Sequence, residues 1–121
     1  MDDATLSGFA ELLRERREAA ERTLLRNSED GRDLLSARGD GTADDEHDPE
    51  GSTLSGEWAM LEALRADTEH ELAEIDAALL RQQSGTYGRC AECGRDIPEA
   101  RLRARPMTRT CVACAEVVER R

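Results

Sequence analysis

The stretch CAECGRDIPEARLRARPMTRTCVAC, residues 90–114, opens and closes on a cysteine pair and holds every cysteine of the chain. Cys90 and Cys93 enclose two residues, seventeen follow, and Cys111 and Cys114 repeat the first spacing. Each Cys-x-x-Cys turns two thiolates toward one point, and two such turns complete the tetrahedron that Zn2+ favours. Gly94, directly after the first pair, supplies the backbone freedom that a tight knuckle needs. Four thiolates leave no open coordination position, so the expected cofactor is one structural Zn2+ on Cys90, Cys93, Cys111 and Cys114. Two disulfides or a reactive dithiol are the competing assignments. They lack support, because there is no strand-to-helix context of thioredoxin type and no secretory signal.

Upstream, the pattern changes to a helical one. From Thr5 to about Arg38, the residues Leu6, Phe9, Leu13, Ala20, Leu24 and Leu34 recur in steps near three and four, the signature of one helix face. Glu11, Arg14, Glu18 and Arg22 occupy the other faces, and Glu18 stands four before Arg22 in the favourable order for a surface pair. Gly31 is the weak point, at about 1 kcal/mol against Ala in a helix interior. The second helix, from about Ser52 to Gln83, carries Trp58, Leu61, Leu64, Thr68, Leu72, Ile75 and Leu79, and Ser84-Gly85 supplies its stop.

Between the helices lies GDGTADDEHDPEG, residues 39–51, with no apolar periodicity, which reads as a loop. Pro49 after Asp48 is a helix-opening pair, since Asp accepts from orphan amides and Pro tolerates the first helical position. Two helical stretches of similar length with no other apolar surface to cover predict an antiparallel hairpin, a coiled coil of roughly 50 Å at 1.5 Å per residue. The expected fold is therefore mostly α. A hairpin over 1–84 with an acidic tip loop 39–51 precedes a four-cysteine zinc finger and a short C-terminal helix over 85–121. A solvated bundle with a flexible acidic linker, or a bundle made by two copies, fits the same stripes.

One Trp, one Tyr and one Phe among 121 residues exclude a large globular core, and a metal staple between amphipathic helices is the physical answer to that shortage. No apolar run approaches the about 20 residues of a membrane span, and Met1-Asp2-Asp3 has the wrong charge for a targeting signal. No membrane association and a cytoplasmic location are expected. The net charge of −10 is unevenly spread: residues 1–88 carry 9 Arg against 22 acidic residues, and residues 89–121 carry 8 Arg against 5. A long acidic segment repels phosphates, which argues against DNA binding through the whole chain.

Residues 85–121 read GTYGRCAECGRDIPEARLRARPMTRTCVACAEVVERR. In Tyr87-Gly88 before the first cysteine, Cys93-Gly94 after the second, Ile97-Pro98, Arg101-Leu102, Arg105-Pro106 and the second knuckle, the chain resembles the DksA/TraR family of zinc finger proteins. The resemblance is close over the last third and architectural before it. It implies a regulator that binds bacterial RNA polymerase, enters the secondary channel by its hairpin, and acts near the catalytic Mg2+ without base-specific DNA contact. The family's two tip Asp, three apart, correspond to Asp45 and Asp48, with Glu50 where an Ala would follow. Counting back from Cys90 instead places the pair near His47 and Glu50; His47 otherwise reads as a solvated loop side chain. The basic residues with which better-known members bind ppGpp correspond to Asp67, Glu74 and Ala115, so little dependence on ppGpp is expected.

Within the zinc module, Ile97, Leu102, Val117 and Val118 are expected to pack around the metal. Arg101 and Arg105 either brace the module or meet an acidic partner surface. A nucleic-acid-binding module using the C-terminal Arg residues, and a redox sensor releasing zinc, are the alternative functions. An enzyme is not expected: there is no Ser/His/Asp set, no phosphate-binding glycine loop and no open metal position.

Overall fold

The computed structural model describes residues 1–40 and 49–120, and the side chains of 38–40 and 49–52 are not among those described. Four helices follow in order: α1 (Asp3–Asp40), α2 (Pro49–Ser84), α3 (Glu99–Ala104) and α4 (Val112–Glu119). Among the described residues there is no strand; one antiparallel bridge joins Arg89 and Asp96. Among the described residues no helix is long and apolar enough to cross a membrane.

Local chemistry sets the ends of the long helices. Asp2 precedes α1, and its Oδ1 accepts from the Thr5 amide at 2.8 Å, which satisfies one orphan donor of the first turn. Thr5's donors hold the Asp2 carboxyl below the usual range. α2 opens on Pro49, the helix-opening position after Asp48, and so starts before the expected Ser52; with α1 reaching Asp40, the helices take in residues 39–40 and 49–51 of the expected loop. It stops at Gly85, whose φ of 78° is left-handed, and the Thr86 amide then donates to the Arg81 carbonyl at 2.9 Å.

The chain packs as two compact units, and the boundary between them falls inside both long helices. The first comprises Met1–Glu18 and Ala73–Arg121. Here α1 and α2 run antiparallel: the Gln82 amide donates to the Leu6 carbonyl at 3.1 Å, and Arg17 pairs with Asp76 at 2.8 Å. Phe9 and Leu13 of α1 and Ile75 and Ala78 of α2 form one buried cluster with Tyr87, Cys90, Ile97 and Leu102 of the zinc module. Phe9 and Tyr87 meet as tilted rings 5.8 Å apart, an aromatic contact worth about 1 kcal/mol beyond area burial.

The second unit is Ala19–Leu72, again made of α1 and α2. Ala20 and Thr68 are buried in it, and the Thr68 hydroxyl donates to the Leu64 carbonyl at 2.8 Å, which satisfies its polar atom. α1 continues unbroken through Gly31. Trp58 lies over that glycine, 3.5 Å from the position a Cβ would take, an ordinary packing distance. Two members of the expected α2 stripe are nevertheless exposed, Trp58 at 39% and Leu64 at 46%. Two helices meet along a narrow seam, and an apolar arc wider than the seam stays in water.

Candidate metal centre

The Sγ atoms of Cys90, Cys93, Cys111 and Cys114 all lie within 4.8 Å of one another. Cys93 and Cys111 are 3.9 Å apart, close to the edge of about 3.8 Å for a tetrahedron with Zn–S bonds of 2.3 Å. None of the four is in a disulfide. The donor set and its size fit one zinc ion, and this is a zinc site of the closed, structural kind.

Each knuckle is built by backbone hydrogen bonds. In the first, the Cys90 amide donates to the Arg95 carbonyl at 2.8 Å and the Gly94 amide donates to the Cys90 carbonyl at 2.9 Å. This turn requires the φ of 76° that Gly94 supplies. The Ala91 amide donates to the Arg109 carbonyl at 2.8 Å, which ties the first knuckle to the approach of the second. The Cys111 amide points at Cys90 Sγ at 3.4 Å.

These donors tune the sulfurs. Backbone N–H groups, that of Cys93 foremost, lower Cys90 to about 6, which favours the thiolate that a metal needs. Cys114 is pushed up to about 12, chiefly by its hydrogen bond with Cys111. Four sulfurs this close cannot all carry charge beside one another, so ionising the full set requires a cation among them and metal binding releases protons.

Three side chains from three places hold residues 106–110, the segment that delivers Cys111. Tyr87 donates its hydroxyl to the Pro106 carbonyl at 2.8 Å, and burial pushes its pKa up to about 12. Arg81, in the last turn of α2, donates to the Met107 carbonyl at 3.0 Å. Arg101 donates from Nε to the Thr110 carbonyl at 2.8 Å and from Nη2 to the Thr108 hydroxyl at 3.3 Å. Of the two roles open to Arg101, the geometry selects the brace. Arg81 carried no sequence signal beyond a cation in a last helical turn, where the helix dipole alone would explain it.

Ile97 and Leu102 are buried, as expected. Val117 and Val118 are not: they stand 52% and 41% exposed, and α4 buries no residue. The correction has a simple cause, since the helix ends and Tyr87 already fill the space beside Cys90 and leave α4 only a peripheral place. The expected tip residues Asp45 and Asp48, with His47, lie outside the described residues; Glu50 belongs to α2, but its side chain is not described. Asp67 and Glu74 are exposed on α2, and Ala115 is half-buried on α4.

Residues 85–120 match the prokaryotic dksA/traR C4-type zinc finger. Over 62 residues, half of this chain, it is 44% identical to the RNA polymerase-binding transcription factor DksA of Caulobacter vibrioides. The matched stretch is less than half the length of that protein and of a second bacterial relative. The structure is similar to that of transcription factor DksA2 from Pseudomonas aeruginosa, with a TM-score of 0.84, 26% identity, and coverage of 99% of this chain and 87% of the other. It is also similar to the solution structure of the DnaK suppressor protein from Agrobacterium tumefaciens C58, with a TM-score of 0.51, 30% identity, and coverage of 92% and 91%.

Proposed function

Because this chain belongs to the DksA/TraR family of C4-type zinc finger proteins, we propose that it is a transcription regulator that works by binding RNA polymerase. The helical hairpin enters the secondary channel, and Asp45, Asp48 and Glu50 act near the catalytic Mg2+. It makes no sequence-specific contact with DNA, and it acts in the cytoplasm, where the polymerase is.

The observation that carries this reading is the division of charge between the two units. Met1–Glu18 with Ala73–Arg121 holds 12 acidic residues and 12 Arg, whereas Ala19–Leu72 holds 15 acidic residues and 5 Arg. The whole net charge of −10 therefore belongs to the helix-pair unit that contains the segment between α1 and α2, and the zinc-bearing unit is neutral. A unit of that charge is repelled by nucleic acid but suits a protein channel lined with cations, and its carboxylates suit a bound divalent ion, because Mg2+ takes oxygen ligands. Of the C-terminal Arg residues on which a nucleic-acid reading rests, Arg101 donates to the Thr110 carbonyl and Arg103 pairs with Glu99.

No bond is made or broken by the protein itself in this mechanism. Carboxylates placed beside the polymerase metal shift its coordination or draw cationic polymerase groups away, and the effect on initiation follows from that field. With Asp67, Glu74 and Ala115 corresponding, by the family resemblance, to the ppGpp-binding cations of better-known members, the regulator depends little on that nucleotide.

The test is co-purification and transcription with the cognate polymerase. Wild type and Asp45→Asn/Asp48→Asn bind alike, and the double variant loses the transcriptional effect. Absence of binding by the wild type sinks the proposal, and a strong enhancement by ppGpp refutes its nucleotide independence.

A further inference from the structure

Within the acidic unit, the α1–α2 seam is flanked by two grooves that share Leu61. One is bordered by Trp58, Arg32 and Arg65. The other has a volume of about 380 Å3 and a different character: its floor is Leu34, Met60, Leu61 and Leu64, and its rim is Asp30, Asp33 and Glu57. Met60 is 66% exposed and Leu64 46%, one helical turn apart on α2, so the floor is uncovered apolar surface rather than core. Among the described residues no ion pair engages Asp30, Asp33 or Glu57.

We propose that this groove is a docking site for a basic amphipathic helix of a partner protein. The occupant presents an apolar residue at each turn toward Met60 and Leu64, and Lys or Arg beside them toward the three carboxylates. Charge selects this occupant over the others. A second copy of the chain would bring a unit of −10 against a unit of −10. Nucleic acid and anionic membranes carry the same sign and are repelled as well. A groove between two helices accepts the ridge of a third, with anchors spaced at three and four residues, and flexible Met60 adapts to the anchor. The assignment stands on the groove alone and does not require the partner to be the polymerase.

The probe is a fluorescein-labelled Leu/Lys amphipathic peptide of about 18 residues, five helical turns, titrated by anisotropy with the full-length zinc-loaded protein. Met60→Ser/Leu64→Ser removes the apolar floor at constant charge, and Asp30→Asn/Asp33→Asn/Glu57→Gln removes the rim at constant shape. Each is expected to weaken binding by about tenfold or more, as loss of central anchors does; a control peptide with Ser for every Leu is expected to bind no better than that. All these positions are on the surface, and circular dichroism with zinc content verifies that each variant is folded. No binding by the wild type, or equal affinity for the wild type and the Met60→Ser/Leu64→Ser variant, overturns the proposal. So does sedimentation showing that the wild type self-associates through this face while that variant is a monomer. Because the readout contains no polymerase, its failure is separable from failure of the functional reading above.

Discussion

Tyr87 joins the core and the metal segment through one atom. Its ring lies beside Phe9, its buried hydroxyl donates to the Pro106 carbonyl, and burial pushes its pKa up to about 12. An unfolded tyrosine ionises near 10, so the native state holds the proton more tightly. The stability this contributes is complete below about pH 10 and is lost as pH rises from there through about 12. Tyr87→Phe should cost about 1–3 kcal/mol at neutral pH, because a buried carbonyl loses its donor. Denaturant unfolding near pH 11 should then show the gap between the two proteins narrowed, since only the wild type has this group to ionise on unfolding. Arg101 acts on the same segment from the other side. Arg101→Met should weaken zinc retention by about 10–100-fold in a chelator competition, and Arg101→Lys should recover little, because a point charge cannot reach both Thr110 O and Thr108 Oγ1 as the fork does. Unchanged zinc retention in both variants would remove the brace.

Among the elements, the long helices were legible and their faces only partly so. The three-and-four spacing identified α1 and α2, and Ser84-Gly85 marked the end of α2, because periodicity and caps are local properties. Gly31 is a weak point of α1 by helix propensity, and in the structure it packs beneath Trp58. The contact at 3.5 Å is ordinary, so Gly31→Ala gains helix propensity without a clash. Its expected result is a thermal unfolding transition raised by about 1 kcal/mol of stability with Trp58 emission unchanged; a red-shifted, quenched emission would show that the indole had been displaced. Trp58 and Leu64 are exposed in spite of their place in the stripe, because periodicity names a face and not the width of the surface that covers it. Ala78 is fully buried, and its place in the core is not legible in the sequence because an Ala marks a helix face only weakly.

For the molecule as a whole, the metal is wired into the helices. Cys90 is buried in one cluster with Phe9, Leu13 and Ile75, and Cys111 and Cys114 pack against it. Removing zinc should therefore loosen more than residues 85–120. Hydrogen exchange after chelation should show protection lost in Phe9–Leu13 and around Ile75 as well, while the helix pair within Ala19–Leu72, which shares no part of that cluster, keeps its protection. Loss confined to the zinc module would mean that the common core is not a cooperative unit.

Spacing and composition along the chain were enough for the metal and its ligands, the two amphipathic helices and the uneven charge, because each is a local or additive property. Packing in three dimensions was needed to show that the zinc module and the helix ends share one core, that Tyr87, Arg81 and Arg101 grip the segment before Cys111, and that Val117 and Val118 remain in water. Those facts arise from groups far apart in the chain competing for the same space and the same carbonyl oxygens, a contest that no local pattern records.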